Sequence, residues 1–504
     1  MAADIVQTRD GSVRGTVTDG VMVWRGIPYA APPLGDLRFR APQPAIRWEG
    51  VRDTTAFGLI CPQLPDPMDA LFGVEPPPSG EDCLTLNVWS PGADDARRPV
   101  MVWIHGGAFE NGSSAALWYD GTSFAREDGV VVVSLNYRLG PLGFLCLDAL
   151  GGAEYAGSGN VGLLDQIAAL RWVRENITAF GGDPGNVTVF GESAGAMSIG
   201  TLLGTPGARG LFHKAILQSG ATKHIHTLAN ATGAAVAIME RLGLAREEVT
   251  TLHTLPVERL IEAARAVEEE GRYNLPLLFQ PVVDGVIAPE LPITGPAPSD
   301  NVRPTIPVLI GTTRDESRLF TVRDPLLSAL DEEGLLAKVI AVAGAERGPA
   351  ILRAYRETRP GETPLHIWDA ISTDADFRIP ALRVAERLAA SGSPIWMYRF
   401  DYAMTTLGGV FGACHGLDVP FVWNALDKPV AALLVGDDPA APALARRMQA
   451  SWVAFAHTGD PNTPDLPAWP EYTLDERATM LFNLDCSLAR DPAGDERRLW
   501  TDVL

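Results

Sequence analysis

Gly191-Glu192-Ser193-Ala194-Gly195 places a serine between two glycines, the spacing of a nucleophile on a sharp turn. The apolar run Val187 to Phe190 precedes it and a run of small residues follows, so Ser193 falls between a buried strand and a helix N-terminus. Partial positive charge at a helix N-terminus favours an oxyanion beside it. A serine so placed can carry out acyl transfer, provided that donors, a base and an acid reach it.

The donors are expected in His105-Gly106-Gly107-Ala108-Phe109, which follows the apolar run Val100 to Ile104. Glycines there let backbone N–H groups approach a substrate closely. The N–H groups of Gly107, Ala108 and Ala194 are the candidate oxyanion donors. Glu192, next to the nucleophile, is a candidate supporting residue, and Phe109 a candidate wall of the substrate pocket. For the base, only three of the eight histidines, His366, His415 and His457, lie far enough downstream. His457 falls in a helix-like segment and reads as a partly buried structural histidine. His366 has apolar flanks. His415 lies between Gly412 and Gly416, in a loop able to present an imidazole, and is the favoured base. For the acid, the run Val308 to Gly311 ends in Thr312-Thr313-Arg314-Asp315-Glu316, and position alone leaves Asp315 and Glu316 open.

These groups need a rigid frame. Val100–Ile104, Val130–Leu135, Val187–Phe190 and Val308–Gly311 read as buried strands, and residues 161–179 show helical spacing. Residues 207–217, 235–270 (broken near Pro256), 326–356 and 379–390 also read as helices, and 62–80 as a long surface loop. The alternation predicts an α/β protein with a parallel sheet covered by helices.

The 504 residues carry 41 basic and 62 acidic side chains, a net charge of −21, which argues against a nucleic-acid partner. No run reaches the roughly 18 apolar residues of a membrane span. The N-terminus has no signal-peptide pattern, so a cytoplasmic protein is expected, with a secreted mature form as the alternative. Cys61, Cys83, Cys146, Cys414 and Cys486 form no CxxC pair, and His224 and His226 stand alone as His-x-His. No metal and no cofactor is expected.

Together these segments resemble the type-B carboxylesterase and cholinesterase family. Arg25-Gly26-Ile27-Pro28-Tyr29-Ala30 with Leu37-Arg38-Phe39, Glu81-Asp82-Cys83-Leu84, Asn160-Val161-Gly162-Leu163, Phe190 through Gly195, and Ala215-Ile216-Leu217-Gln218-Ser219-Gly220 carry the likeness over most of the chain. The resemblance implies the α/β-hydrolase fold: one domain over residues 1–504, with a large central, mostly parallel mixed sheet under helices on both faces. Helical and loop insertions would surround an active-site gorge. It implies a Ser193, His415 and Glu316 triad, and so selects Glu316 over Asp315. It also implies that Ser219 supports the triad, that Arg38 pairs with Glu81 and Arg138 with Asp165, and that Cys61 and Cys83 form a disulfide.

Two departures bear on substrate. Residues 61–80 hold no tryptophan, the side chain that receives choline in the family's cholinesterases. Leu275 and Leu277 stand where those enzymes carry acyl-pocket aromatics, while Phe320 remains. This resembles the bacterial branch of para-nitrobenzyl esterases and implies hydrolysis of short- to medium-chain carboxylic esters. The partner is then a small-molecule ester, with no membrane and no nucleic acid, in a monomer or dimer. An amide-, carbamate- or polyester-cleaving hydrolase, or a non-catalytic binding protein of the same fold, are the alternatives.

Overall fold

The computed structural model describes residues 4–65, 75–271, 277–289, 305–501 and 503. Residues 66–74 of the 62–80 loop, and Leu275, therefore lie outside the described residues. The chain divides into two compact units, residues 1–216 with 224–304, and residues 217–223 with 305–504.

In the first unit, short runs rich in β-branched residues make strands. Thr16–Thr18, Val21–Pro28, Thr85–Ser90, Val131–Leu135, Arg98–Ile104 and Gly182–Glu192 lie side by side in that order. Pairing is antiparallel as far as Val131–Leu135, and Arg98–Ile104 is then parallel to both of its neighbours. Every residue of Thr85–Ser90 and Val131–Leu135 is buried. A strand buried at consecutive positions is covered on both faces, as in sheets layered between helices. Helix Thr122–Asp128 packs on both of these strands, and helix Val161–Asn176 on Gly182–Glu192.

The second unit repeats the plan. Val308–Thr313 is parallel to Ile395–Phe400, which is parallel to Ala478–Phe482, with Ser487–Arg490 antiparallel at the end. Helix Ile379–Ala390 packs on the first two of these strands.

Three expected helices shift. Residues 207–217 form a short turn at Pro206–Ala208 and then a buried strand, Lys214–Gln218. A short run buried on both sides lacks the alternation that distinguishes strand from helix. Residues 235–270 resolve into helix Leu228–Arg241, the tighter turns of Arg246–His253 and helix Val257–Glu269. The helix expected over 326–356 is Glu332–Thr358.

Two ion pairs tie the first unit together. Arg38 donates from Nε to Glu81 at 2.7 Å and from Nη1 to the carbonyls of Leu252 and Leu255. Arg138 makes a two-pronged contact with Asp165 at 2.8 and 2.7 Å, both side chains lying almost wholly out of solvent. Burial opposes both charges, and each is held by the other. Asp165→Leu should therefore cost about 3–5 kcal/mol, because it strands a buried guanidinium. Replacing both residues by apolar side chains should recover much of that loss. Urea unfolding of the single and double variants checks this, and equal losses would refute it.

Candidate active site

Strand register explains why two segments 87 positions apart meet. Ile104 pairs with Gly191 in the parallel ladder, so both strands end together, and His105 and Ser193 begin adjoining loops. At the turn Ser193 takes φ 53°, ψ −124°, a backbone conformation costing about 1–3 kcal/mol for a non-glycine residue. Such strain persists only where the surroundings enforce it. Here they do: a methyl on Gly191 would lie 2.6 Å from the Ile104 carbonyl oxygen, and one on Gly195 would collide with the same atom. Helix Ala194–Leu202 starts directly after Ser193, so Ala194 is its first residue, one whose N–H has no partner within the helix.

The facing loop is equally constrained. Gly107, Ala108 and Phe109 all have positive φ, at 108°, 56° and 63°. The Gly107 carbonyl accepts from Glu110 and Asn111, which turns it into the loop. A side chain on Gly106 would come 2.9 Å from Glu192 Oε2 and 3.0 Å from Ser193 Cβ, so only glycine lets the loop approach the nucleophile. Phe109 is buried edge-on against Phe144.

His105 anchors this loop. Its ring stacks on Tyr137, whose hydroxyl donates to the His105 carbonyl. Burial pushes the imidazole down to about 4, against the effect of its bond to Gly106. The ring is thus neutral, and Nδ1–H donates to the Gly106 carbonyl at 2.8 Å. As pH falls from about 6.5 towards 4, the unfolded chain gains a proton that the folded ring refuses, so stability is lost, by about 3 kcal/mol at the lower end. His105→Asn should flatten that part of the stability profile. Denaturant unfolding from pH 7 to 4.5 tests it, and an unchanged slope would count against it.

In the second unit, Val308–Thr313 runs into the turn that bears Glu316. The Thr313 N–H donates to Glu316 Oε1 at 2.8 Å, and Glu316 Oε2 lies 2.6 Å from His415 Nδ1. Glu316 is fully buried and His415 nearly so. Asp315 has a different part. It accepts from the N–H of Ala413 and from Arg314, and so props the loop that presents His415. His366, in the first turn of helix Pro364–Thr373, pairs with Glu362 just before it, both partly exposed. His457 is exposed at the end of helix Ala441–Thr458, which corrects the expected partial burial. Phe455 and Ala456 in the same turn are buried, so His457 lies on the helix's solvent face.

Ser219 is buried at φ 50°, its N–H bonded to the Gly311 carbonyl. Leu277 is half-buried. Phe320, about half exposed, has its ring centre 5.3 Å from that of His415. Two neighbours were not foreseen. Phe377 lies closer, at 4.9 Å, carried by a π-helical turn at Asp374–Arg378. Asp418 is buried and accepts from Tyr398 and Gln218, and burial, with the Glu316 charge, pushes its carboxyl up to about 6. Gln218 is 200 positions from Asp418, so only the HGxD spacing after His415 could have hinted at it.

Cys61 and Cys83 are free, buried thiols in hydrogen-bond contact, so the disulfide implied by resemblance is not formed here. His226 contacts the Leu278 carbonyl. Among the described residues no cluster of three or more His, Cys, Asp or Glu could hold a metal.

The sequence profile of the Carboxylesterase family matches residues 2–500. The chain belongs to this family. It is 42% identical to the para-nitrobenzyl esterase of Bacillus subtilis, covering 99% of this chain and 98% of that protein. It is 38% identical to the phenmedipham hydrolase of Pseudarthrobacter oxydans, over 97% of each. The solved structure of the Geobacillus stearothermophilus carboxylesterase EST55 superposes with a TM-score of 0.89 at 42% identity, covering 99% of this chain and 100% of that one. The carboxylesterase therefore has the α/β-hydrolase fold, with a large mixed sheet and covering helices. It is a serine hydrolase of carboxylic esters, acting on small molecules. Among its described residues no helix is long and apolar enough to cross a membrane.

Proposed function

We propose that Ser193, His415 and Glu316 form the triad of a serine carboxylesterase and that Gly107, Ala108 and Ala194 supply its oxyanion hole. The observation that carries this reading is Ser193 itself, held at positive φ between two glycines that no larger residue could replace. In the first half-reaction, Ser193 Oγ attacks the ester carbonyl while its proton passes to His415 Nε2. The carbonyl oxygen becomes an oxyanion and accepts the three backbone N–H groups. Collapse expels the alcohol, which takes the proton from His415. A water molecule repeats the sequence on the acyl-enzyme and releases the acid. Glu316 remains ionised, keeps Nδ1 protonated and stabilises the imidazolium as it forms. An organophosphate or sulfonyl fluoride should add its mass to Ser193, and labelling elsewhere with Ser193 unmodified would overturn the assignment.

The same reading treats residues 1–504 as one catalytic domain, monomeric or dimeric, in a cytoplasmic setting that keeps Cys61 and Cys83 reduced. Glu192 and Ser219 act as supports, and Phe109, Leu275, Leu277 and Phe320 bound the pocket. Leucine is smaller and more adaptable than a phenyl ring, so acyl groups longer than acetyl should fit. Each additional buried methylene contributes about 0.8 kcal/mol, or roughly fourfold in rate, until the pocket is full. The best acyl groups should be about butanoyl to hexanoyl. Without a tryptophan in residues 61–80, butyrylcholine should gain nothing over a neutral butyrate of matched leaving group. A ratio of kcat/KM above about a hundred in favour of the choline ester would reveal a cation site and refute this reading. Leu277→Phe should move the optimum towards acetyl. Adding an amide and a carbamate to the panel separates ester hydrolysis from its closest alternatives.

A further inference from the structure

Within the second unit lies a cavity of about 230 Å³ that the esterase chemistry does not use. Its walls carry five arginines and five carboxylates. Most of these charges are engaged. Arg378 grips Asp374, with one contact at 2.8 Å, and Arg359 pairs with Glu496. Arg314 holds Asp315 at 2.9 Å, and Glu362 takes His366 at 2.7 Å.

One opposite pair is left incomplete. Arg318 Nε is buried without a hydrogen-bond partner, and its nearest carboxylate oxygen, Asp369 Oδ2, stands 3.8 Å away, beyond hydrogen-bond reach. Asp369 is itself anchored through its other oxygen by the Thr321 hydroxyl at 2.5 Å. Arg318 also packs against Gly412, whose added side chain would lie 2.9 Å from Nη1.

Balanced lining charge disfavours a ligand with a strong net charge, because an added ion would meet as much repulsion as attraction. A guanidinium and a carboxylate a few ångströms apart match instead a ligand that carries both signs on neighbouring atoms. We propose that this cavity is a binding site for a small zwitterion of the α-amino-acid class, its carboxylate on Arg318 and its ammonium on Asp369. The site is distinct from the ester-cleaving residues, and its occupancy does not depend on their assignment.

Titration calorimetry on the full chain tests the proposal with L-alanine and L-glutamine as probes. N-acetyl-L-alanine removes the ammonium and L-alaninamide the carboxylate. Saturable binding of one of the two amino acids, weakened at least tenfold in both blocked forms, is expected. Arg318→Gln and Asp369→Asn should each weaken that binding at least tenfold while leaving thermal unfolding cooperative. Equal binding of the N-acetyl form would overturn the zwitterion in favour of a plain anion site. No saturable heat from either amino acid at tens of millimolar would overturn the site altogether. Should a variant fail to fold, the two blocked compounds on the unmodified protein still decide the matter.

Discussion

Ser193→Ala is expected to lower kcat on p-nitrophenyl butyrate by about 10⁴-fold or more, with little change in KM. Under the proposed mechanism, the substitution removes the atom that forms the acyl-enzyme and leaves the oxyanion donors and the pocket in place. The residual rate should therefore still exceed the uncatalysed one, and burst kinetics should vanish. Folding should not suffer. Alanine at φ 53° meets the same backbone strain as serine, and the flanking glycines still fit beneath the Ile104 carbonyl. Loss of activity with an unchanged unfolding midpoint is the predicted combination. A fully active alanine variant would overturn the whole mechanism, since among the described residues no other serine lies on a turn framed in this way by the end of the Arg98–Ile104 strand.

Glu316→Gln is expected to cost about 10³- to 10⁴-fold in kcat at neutral pH. The carboxylate accepts the Thr313 N–H through one oxygen and faces His415 Nδ1 through the other at 2.6 Å. A glutamine amide that kept the first bond would turn its NH2 towards Nδ1. The imidazole would then have to accept at Nδ1 and carry its proton on Nε2, the tautomer that cannot take a proton from serine. Asp315→Asn makes the control. Asp315 accepts from the Ala413 N–H at 2.9 Å, and an asparagine oxygen can do the same. Only its ion pair with the partly exposed Arg314 is lost, so the expected drop is about tenfold or less. Comparable losses in the two variants would mean that the loop's geometry, rather than the Glu316 charge, is what the chemistry needs.

The contrast between these carboxylates shows where reading residues in order runs out. Asp315 and Glu316 occupy adjacent positions after the same strand, and nothing in their spacing separates them. Resemblance to a family selected Glu316. The physical reason lies in three-dimensional pairing: the turn after Thr313 directs one carboxylate to a buried imidazole 99 positions away and the other to the backbone that carries it. The loop that carries His415 was easier to read, because flanking glycines mark it. The expectation for His457 failed in detail, since placing it in a helix does not reveal which face of the last turn meets solvent.

The elbow and the facing loop were legible without coordinates because their constraints are local. Tight turns and close backbone approach exclude side chains, and only glycine meets that demand, so the need is written into the sequence at the positions concerned. Four buried strands were legible as apolar runs, but Thr85–Ser90, Ile395–Phe400 and Ala478–Phe482 were not singled out and Lys214–Gln218 was expected as helix, because a short run buried on both sides has no period to read. Tertiary structure alone decided what depends on partners distant in the chain. It brought Asp418 to Gln218, set Phe377 beside His415, and left Arg318 facing Asp369 across a gap too wide for a hydrogen bond. A buried charge or ring takes its role from whatever packs against it, and that neighbour is chosen by the fold as a whole rather than by the residues on either side.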